Sequence, residues 1–205
     1  MSRLLVIVLV PILVGLGFYF YTREDPSQIK NYPGQGKTIV AFGDSLVAGT
    51  GATYHKEFVS LLSEKLRIPI INEGVIGNTT RDGLARIDDV LKHDPKLVII
   101  LLGGNDVLRK ISKEETFQNL EKIVQKVQDS GSMVLLIGIQ GGVLRDPYKE
   151  EFEALSEKYQ TAYVESVLNG MIGKPEYMFD AIHPNDVGYA KIADRLYPIV
   201  IRMLF

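Results

Sequence analysis

The sequence predicts an α/β fold, in which a mainly parallel sheet is covered by helices on both faces in three layers. From residue 37 onward, short apolar runs alternate with segments whose apolar residues recur at helical spacing. This alternation is typical of a parallel sheet with right-handed crossovers. The run at residues 96–102 carries only one charge, at its first position, as expected of a strand buried on both faces.

Five strands and five helices are predicted in alternation along the chain. Apolar runs bounded by glycine or polar residues predict the strands, at residues 37–42, 69–72, 96–102, 133–139 and 163–164. Apolar residues three and four positions apart predict the helices, at residues 55–66, 80–91, 113–129, 148–159 and 186–203. Each helix therefore has one apolar face that can pack against the sheet.

An apolar segment and a polar connection precede this domain. Residues 4–21 carry no charge, and as a helix they would extend about 27 Å, close to the roughly 30 Å hydrocarbon core of a bilayer. No small-residue cleavage site follows them, so we expect residues 1–22 to be an uncleaved signal-anchor that places the domain in the periplasm or outside the cell. A cleaved signal peptide and a buried core helix are the alternatives. The Pro- and Gly-containing residues 23–36 predict a linker, which leaves residues 37–205 as the folded domain.

The composition argues against several classes of protein. The 205 residues include 23 Lys and Arg against 25 Asp and Glu, and the net charge of −2 gives no reason to expect nucleic-acid binding. The absence of Cys removes disulfides, thiolate nucleophiles and Cys-ligated metals. The three histidines lack metal-ligand spacing to one another, and no complete nucleotide-binding motif occurs, so we expect no metal and no cofactor. The sequence does not indicate an oligomeric state.

Glycines and small polar residues follow the first four predicted strands, at the sheet edge where parallel α/β proteins bind ligands. There we expect Ser45 to be a nucleophile, His183 its general base and Asp180 the carboxylate that orients the imidazole. The backbone N–H groups of Ser45 and Gly77 and the side-chain amide of Asn105 are expected to bind the oxyanion of a tetrahedral intermediate. Each pattern alone also fits an ordinary turn, and it is their occurrence together, in order, that indicates a site.

Four blocks of the sequence resemble the SGNH, or GDSL-type, hydrolases. The blocks are Ala41-Phe42-Gly43-Asp44-Ser45-Leu46, Gly77-Asn78-Thr79, Leu102-Gly103-Gly104-Asn105-Asp106 and Asp180-Ala181-Ile182-His183-Pro184. The stretch Gly83-Leu84-Ala85-Arg86 is similar to the bacterial lysophospholipase, acyl-thioesterase and arylesterase branch. The resemblance implies a flavodoxin-like fold and metal-independent ester hydrolysis through an acyl-enzyme, with the catalytic and oxyanion residues given above.

The expected function is that of a serine esterase acting on small-molecule or lipid esters: lysophospholipids, medium-chain acyl or aryl esters, or thioesters. Two segments near the predicted site are candidates for the acyl pocket, although both also fit ordinary packing or loop structure. The candidates are Leu46, Tyr54, Gly141, Gly142, Val143 and Leu144. A carbohydrate O-deacetylase, an acyltransferase on the same triad and a non-catalytic membrane-anchored binding module remain alternatives.

Overall fold

The computed structural model describes residues 25–139 and 148–205. The described strands are β1 (Thr38–Gly43), β2 (Ile70–Gly74), β3 (Pro95–Leu101), β4 (Met133–Ile137) and β5 (Ala162–Val164). A short 3-10 helix (Pro26–Gln28) comes first, and the described α-helices are α1 (Ser45–Ala48), α2 (Phe58–Leu66), α3 (Thr80–Leu91), α4 (Gly104–Leu108), α5 (Lys113–Asp129), α6 (Lys149–Tyr159) and α7 (Asp186–Leu204). The predicted strands and helices are thus all found, and α1 and α4 are additions to them.

The five strands form one parallel sheet in the order β2-β1-β3-β4-β5. This is the flavodoxin-like order, in which the chain direction across the sheet reverses between β1 and β3. A crevice opens at such a reversal, outside the carboxyl ends of the two strands. The α/β fold class is confirmed, and the topology singles out the loops after β1 and β3 as the place for a site.

Alternate residues of the strands build two apolar cores, one on each face of the sheet. Ile39 and Ala41 of β1 face the core formed with α2 and α7, whereas Val40 and Phe42 face the core formed with α3, α5 and α6. All four side chains are fully buried. Since both faces are covered, the continuous apolar runs of the sequence are explained by burial on two sides rather than one.

Local hydrogen bonds set where several helices begin. Thr79 and Asp82 form a reciprocal capping box at the start of α3, in which Asp82 accepts the Thr79 backbone N–H at 2.9 Å. Asn185 caps α7 by accepting the N–H of Gly188. The helix predicted from residue 55 begins only at Phe58, because His55 has a left-handed backbone with φ of 59° and cannot continue a helix.

The residues before β1 are attached to the domain, and we call residues 29–36 the N-terminal strap. Ile29 packs against the core formed with α2 and α7. The side-chain amide of Asn31 donates to the carbonyl oxygens of Gln128 at 2.7 Å and Ser132 at 3.0 Å. Gln128 lies in the last turn of α5 and Ser132 directly precedes β4. The strap therefore lies along the amino-terminal edge of the sheet, opposite the carboxyl ends. The linker was predicted from the Pro and Gly content of residues 23–36, and that content does not indicate these contacts.

The predicted signal-anchor, residues 1–22, lies outside the described residues. Across residues 25–139 and 148–205, no helix has both the length and the apolar character needed to cross a bilayer. The domain boundaries stay a prediction.

Candidate active site

The carboxyl end of β1 places Ser45 beside a histidine that lies 138 residues further along the chain. Ser45 is the first residue of α1, and its Oγ lies 2.9 Å from Nε2 of His183. The other ring nitrogen of His183, Nδ1, lies 2.8 Å from Oδ2 of Asp180. The structure therefore brings the three predicted side chains into one hydrogen-bonded chain with the geometry of a nucleophile, a base and an orienting carboxylate.

A tight turn before α7 fixes Asp180 against His183. Oδ1 of Asp180 accepts the backbone N–H groups of Ile182 at 2.9 Å and His183 at 2.8 Å. Burial acts to raise the pKa of Asp180, but the hydrogen bonds from the His183 side chain and the two N–H groups outweigh it and lower the pKa to about 2. The carboxylate is consequently ionised near neutral pH and can stabilise an imidazolium on His183.

The turn between β1 and α1 exposes the serine hydroxyl to a cavity and buries the preceding carboxyl group. A Cβ added at Gly43 would lie 2.3 Å from the carbonyl oxygen of Leu101, so this position accepts only glycine. Oδ1 of Asp44 then caps α1 by accepting the N–H of Leu46 at 3.0 Å. Burial raises the pKa of Asp44 to about 6, although the hydrogen bond from Leu46 and the neighbouring His183 act in the opposite direction.

The predicted oxyanion donors follow three adjacent strands, β1, β2 and β3. Gly77 lies in the loop after β2 with φ of 80°, a left-handed conformation that favours glycine. Asn105, the second residue of α4, donates from Nδ2 to the carbonyl oxygen of Asn78 at 3.0 Å and to Oδ2 of Asp44 at 3.3 Å. The Asn105 amide thus contacts the residue after Gly77 and the residue before Ser45.

A cavity of ≈ 280 Å³ opens beside Ser45 and His183, and Leu46 lines it as predicted. Tyr54 does not line it, since its side chain is 89% exposed and contacts the ring of His55. Residues 141–144, the remaining acyl-pocket candidates, lie outside the described residues. The cavity also has apolar lining residues that the sequence did not single out, namely Val107, Leu108, Ile139, Leu168, Ile172, Ala181 and Ile182. The sequence could have pointed to them only through their positions, because most of them follow the end of a strand or precede α7.

The other two histidines are engaged away from this cavity. His55 lies 3.3 Å from the hydroxyl of Ser60, and His93 lies 2.7 Å from a carboxylate oxygen of Glu73. In the part of the chain that the structure describes, His, Asp and Glu residues form no group of three or more that could hold a metal ion.

Comparisons with known proteins identify the family. Residues 41–191 match the family model for the GDSL-like lipase/acylhydrolase family. The chain is 33% identical over 168 residues to an arylesterase of Vibrio mimicus, covering 76% of this chain and 84% of the relative. It is 31% identical over 176 residues to the thioesterase 1/protease 1/lysophospholipase L1 of Escherichia coli strain K12, covering 80% and 85% of the two chains. The chain belongs to the GDSL-like lipase/acylhydrolase, or SGNH hydrolase, family.

A solved structure agrees with this assignment. The psychrotrophic esterase EstA from Pseudoalteromonas sp. superposes with a TM-score of 0.75 at 29% identity, covering 82% of this chain and 98% of that one. The predicted family and the predicted enzyme class are therefore confirmed: the protein is a serine esterase of the SGNH type.

Proposed function

We propose that this esterase hydrolyses lysophospholipids and medium-chain acyl or aryl esters, together with thioesters, through an acyl-enzyme on Ser45. One observation carries the proposal: the hydrogen-bonded chain of Ser45, His183 and Asp180 borders an apolar cavity. An apolar cavity beside a nucleophile suits an acyl chain rather than a polar group. The two relatives described above, an arylesterase and a thioesterase/lysophospholipase, have activities within the same substrate range.

The chemistry follows from the order of these three side chains. Nε2 of His183 takes the proton of Ser45 as Oγ attacks the carbonyl carbon, and Asp180 stabilises the imidazolium. The imidazolium then protonates the departing alkoxide or thiolate, which leaves the acyl group bonded to Oγ. In the second half, His183 deprotonates a water molecule that attacks the acyl carbon, and the acid and the free serine are regenerated.

The tetrahedral oxyanion would be bound by the N–H groups of Ser45 and Gly77 and by Nδ2 of Asn105. The Asn105 amide already donates to Asn78 and to Asp44. The bond to Asp44 is the longer of the two at 3.3 Å, so it is the one that an oxyanion would replace. The shorter bond to Asn78 would remain and keep the amide in place.

The acyl chain would extend from Ser45 over Leu46 into the cavity. Val107, Leu108 and Ile182 line this cavity and are also 41%, 59% and 43% exposed. An apolar path therefore connects the solvent to the nucleophile, which suits substrates with a long apolar part. Tyr54 does not line this cavity, so we assign it no contact with the acyl chain of the substrate.

The decisive experiment is hydrolysis of p-nitrophenyl esters from acetate to palmitate by the full-length chain and by Ser45→Ala. We expect turnover with an optimum at medium chain length, and none in Ser45→Ala, which should keep its circular dichroism spectrum. A phosphonate ester should add its mass to the wild-type protein at Ser45 only. Turnover that survives in Ser45→Ala would contradict the nucleophile, and activity on acetate alone would favour a carbohydrate O-deacetylase.

We also propose that residues 1–22 are a signal-anchor, that residues 23–36 are a linker whose second part, the N-terminal strap, is held against the domain, and that residues 37–205 are an exported catalytic domain in the periplasm or outside the cell. The charge-free stretch at residues 4–21 supports this. Because the N-terminal strap follows the amino-terminal edge of the sheet, an anchored domain would direct Ser45 away from the membrane. Intact mass and carbonate extraction of membranes test the anchor: a shortened, soluble product would show a cleaved signal instead.

A further inference from the structure

A largely buried arginine behind the Gly77 loop contacts three separate segments of the chain. Arg86 lies on α3, and its side chain is 19% exposed. Its Nη2 donates to the carbonyl oxygens of Gly43 and Glu73, both at 2.9 Å. Its Nε donates to Oδ1 of Asn78 at 2.7 Å. One guanidinium thus joins the ends of β1 and β2 to the loop that follows β2.

These contacts lie next to the reacting groups, but Arg86 itself is not among the residues that line the cavity. Gly43 is two residues before Ser45, and Asn78 directly follows Gly77. The carbonyl oxygen of Asn78 accepts the Nδ2 donor of Asn105. Asn78 is therefore held by Arg86 through its side chain and by Asn105 through its backbone.

The surroundings of Arg86 compensate a charge that is costly to bury. Burial lowers the pKa of Arg86, and the nearby carboxylate of Glu73, 3.5 Å from Nη1, acts against this. The guanidinium also lies 4.4 Å from the ring centroid of Phe42. A planar fork with five N–H donors can reach two carbonyl groups and an amide at once, whereas the three donors of a lysine ammonium all sit on one nitrogen.

We propose that Arg86 is a positioning residue for ester hydrolysis, which holds the Gly77–Asn78 loop against the end of β1 so that the oxyanion donors converge on one atom beside Ser45. This rests on the proposed roles of Ser45, Gly77 and Asn105. Since the oxyanion is absent from the bound ester and develops on the way to the tetrahedral intermediate, misplacing the loop should slow the chemical step and leave substrate binding nearly unchanged.

The first test is Arg86→Lys in the full-length chain, which keeps the charge and most of the stem. We expect kcat on a medium-chain p-nitrophenyl ester to fall by about 10- to 100-fold, with KM changed by less than about twofold. Arg81→Lys is the matched control, because Arg81 is on the same helix but pairs with Glu115 at the surface. The control should keep the wild-type kcat. An Arg86→Lys variant that loses thermal stability but keeps kcat would overturn the proposal.

The second test asks whether Arg86 acts through Asn78. Asn78→Ala removes the acceptor of Nε and leaves the backbone carbonyl that binds Asn105, so kcat should fall while KM holds. When Arg86→Lys and Asn78→Ala are combined, kcat should fall only as far as it does in the more damaging of the two single variants, because both changes release the same loop. Full additivity would contradict the coupling. Should Arg86→Lys fail to fold, an unchanged kcat in Asn78→Ala still overturns the proposal.

Failure of this inference is distinguishable from failure of the proposed function. If the phosphonate does not label Ser45 in the wild-type protein, the proposed catalytic roles are wrong. If Ser45 is labelled and turnover is normal, but neither Arg86→Lys nor Asn78→Ala lowers kcat, only the positioning role is wrong.

Discussion

The amide of Asn105 is the one side-chain donor among the proposed oxyanion ligands, and it can be removed without changing the backbone. Asn105→Ala should lower kcat by about 10²–10³-fold, because the lost donor stabilises the transition state more than the bound ester. Steady-state kinetics on a p-nitrophenyl ester measure this, with the exposed Asn169→Ala as the control. An increase in KM with kcat unchanged would show that the amide contacts the substrate in the ground state instead.

The buried carboxyl group of Asp44 should make stability depend on pH in a definite direction. Its pKa is raised from 3.8 to about 6, so between these values the native state binds more protons than the unfolded state. The contribution of Asp44 to the free energy of unfolding therefore decreases as pH rises through this window. Asp44→Asn keeps an acceptor for the N–H of Leu46 and should remove that dependence. Urea titrations at about pH 4 and about pH 7 measure the free energy of unfolding of the wild type and of Asp44→Asn. An equal change between the two pH values in both proteins would contradict the assignment to Asp44.

At the scale of single residues, the sequence predicted the three side chains that the structure joins by hydrogen bonds, whereas Leu46 is the one described acyl-pocket candidate that lines the cavity. Ser45 closely follows a predicted strand and Asp180 and His183 precede a predicted helix, and the three side chains together have a chemistry that no single turn requires. An apolar side chain in a loop carries no such signal, because packing and substrate contact require the same residue types. Tyr54 shows the limit: its neighbour Thr53 is held by both carboxylate oxygens of Asp186, and Tyr54 itself remains 89% exposed.

At the scale of elements, the long helices were predicted better than the short ones that carry the site. The bounds of α3 and α5 agree with the prediction to the residue, because a capping side chain begins each and several apolar positions repeat along it. The helices α1 and α4 have four and five residues, too few for a periodic pattern to emerge. Ser45 and Asn105 lie on these two helices. The hydrophobic periodicity of the sequence therefore could not predict the local backbone geometry of the site.

Helix α4 is held against α3 and α5 by the carboxyl group of Asp106, which is fully buried. It accepts the backbone N–H of Thr80 at 2.9 Å, the hydroxyl of Thr80 at 2.6 Å and the hydroxyl of Thr116 at 3.3 Å. Asp106→Ala would leave the N–H and the hydroxyl of Thr80 without this acceptor, at about 1–3 kcal/mol for each group left unsatisfied, whereas the Thr116 hydroxyl keeps its bond to the Ser112 carbonyl oxygen. We expect the free energy of unfolding to fall by roughly 2–5 kcal/mol.

Urea denaturation of Asp106→Ala beside Asp129→Ala measures that loss. Asp129 ends α5 and is exposed, so its removal should change the free energy of unfolding by no more than about 0.5 kcal/mol. Equal stability of the two variants would mean that Asp106 does not join the helices.

At the scale of the whole molecule, the parallel sheet separates the two ends of the domain. The alternation of strands and helices was sufficient to predict which loops share the carboxyl edge, because every right-handed crossover returns the chain to the same edge. The attachment of the N-terminal strap to the other edge was not predictable. It combines the packing of Ile29 with the amide of Asn31, which meets two carbonyl groups that lie about a hundred residues further along the chain.

This separation predicts that stability and catalysis can be changed independently. Asn31→Ala removes two hydrogen bonds, each worth about 0.5–1.5 kcal/mol. It also puts alanine at a φ of 68°, where asparagine is better tolerated. The melting temperature should fall by about 2–4 °C for each kcal/mol lost. Well below that temperature, kcat and KM should equal the wild-type values, because the strap and Ser45 lie at opposite edges of the sheet. A fall in kcat measured there would mean that the strap is coupled to the site through the strands.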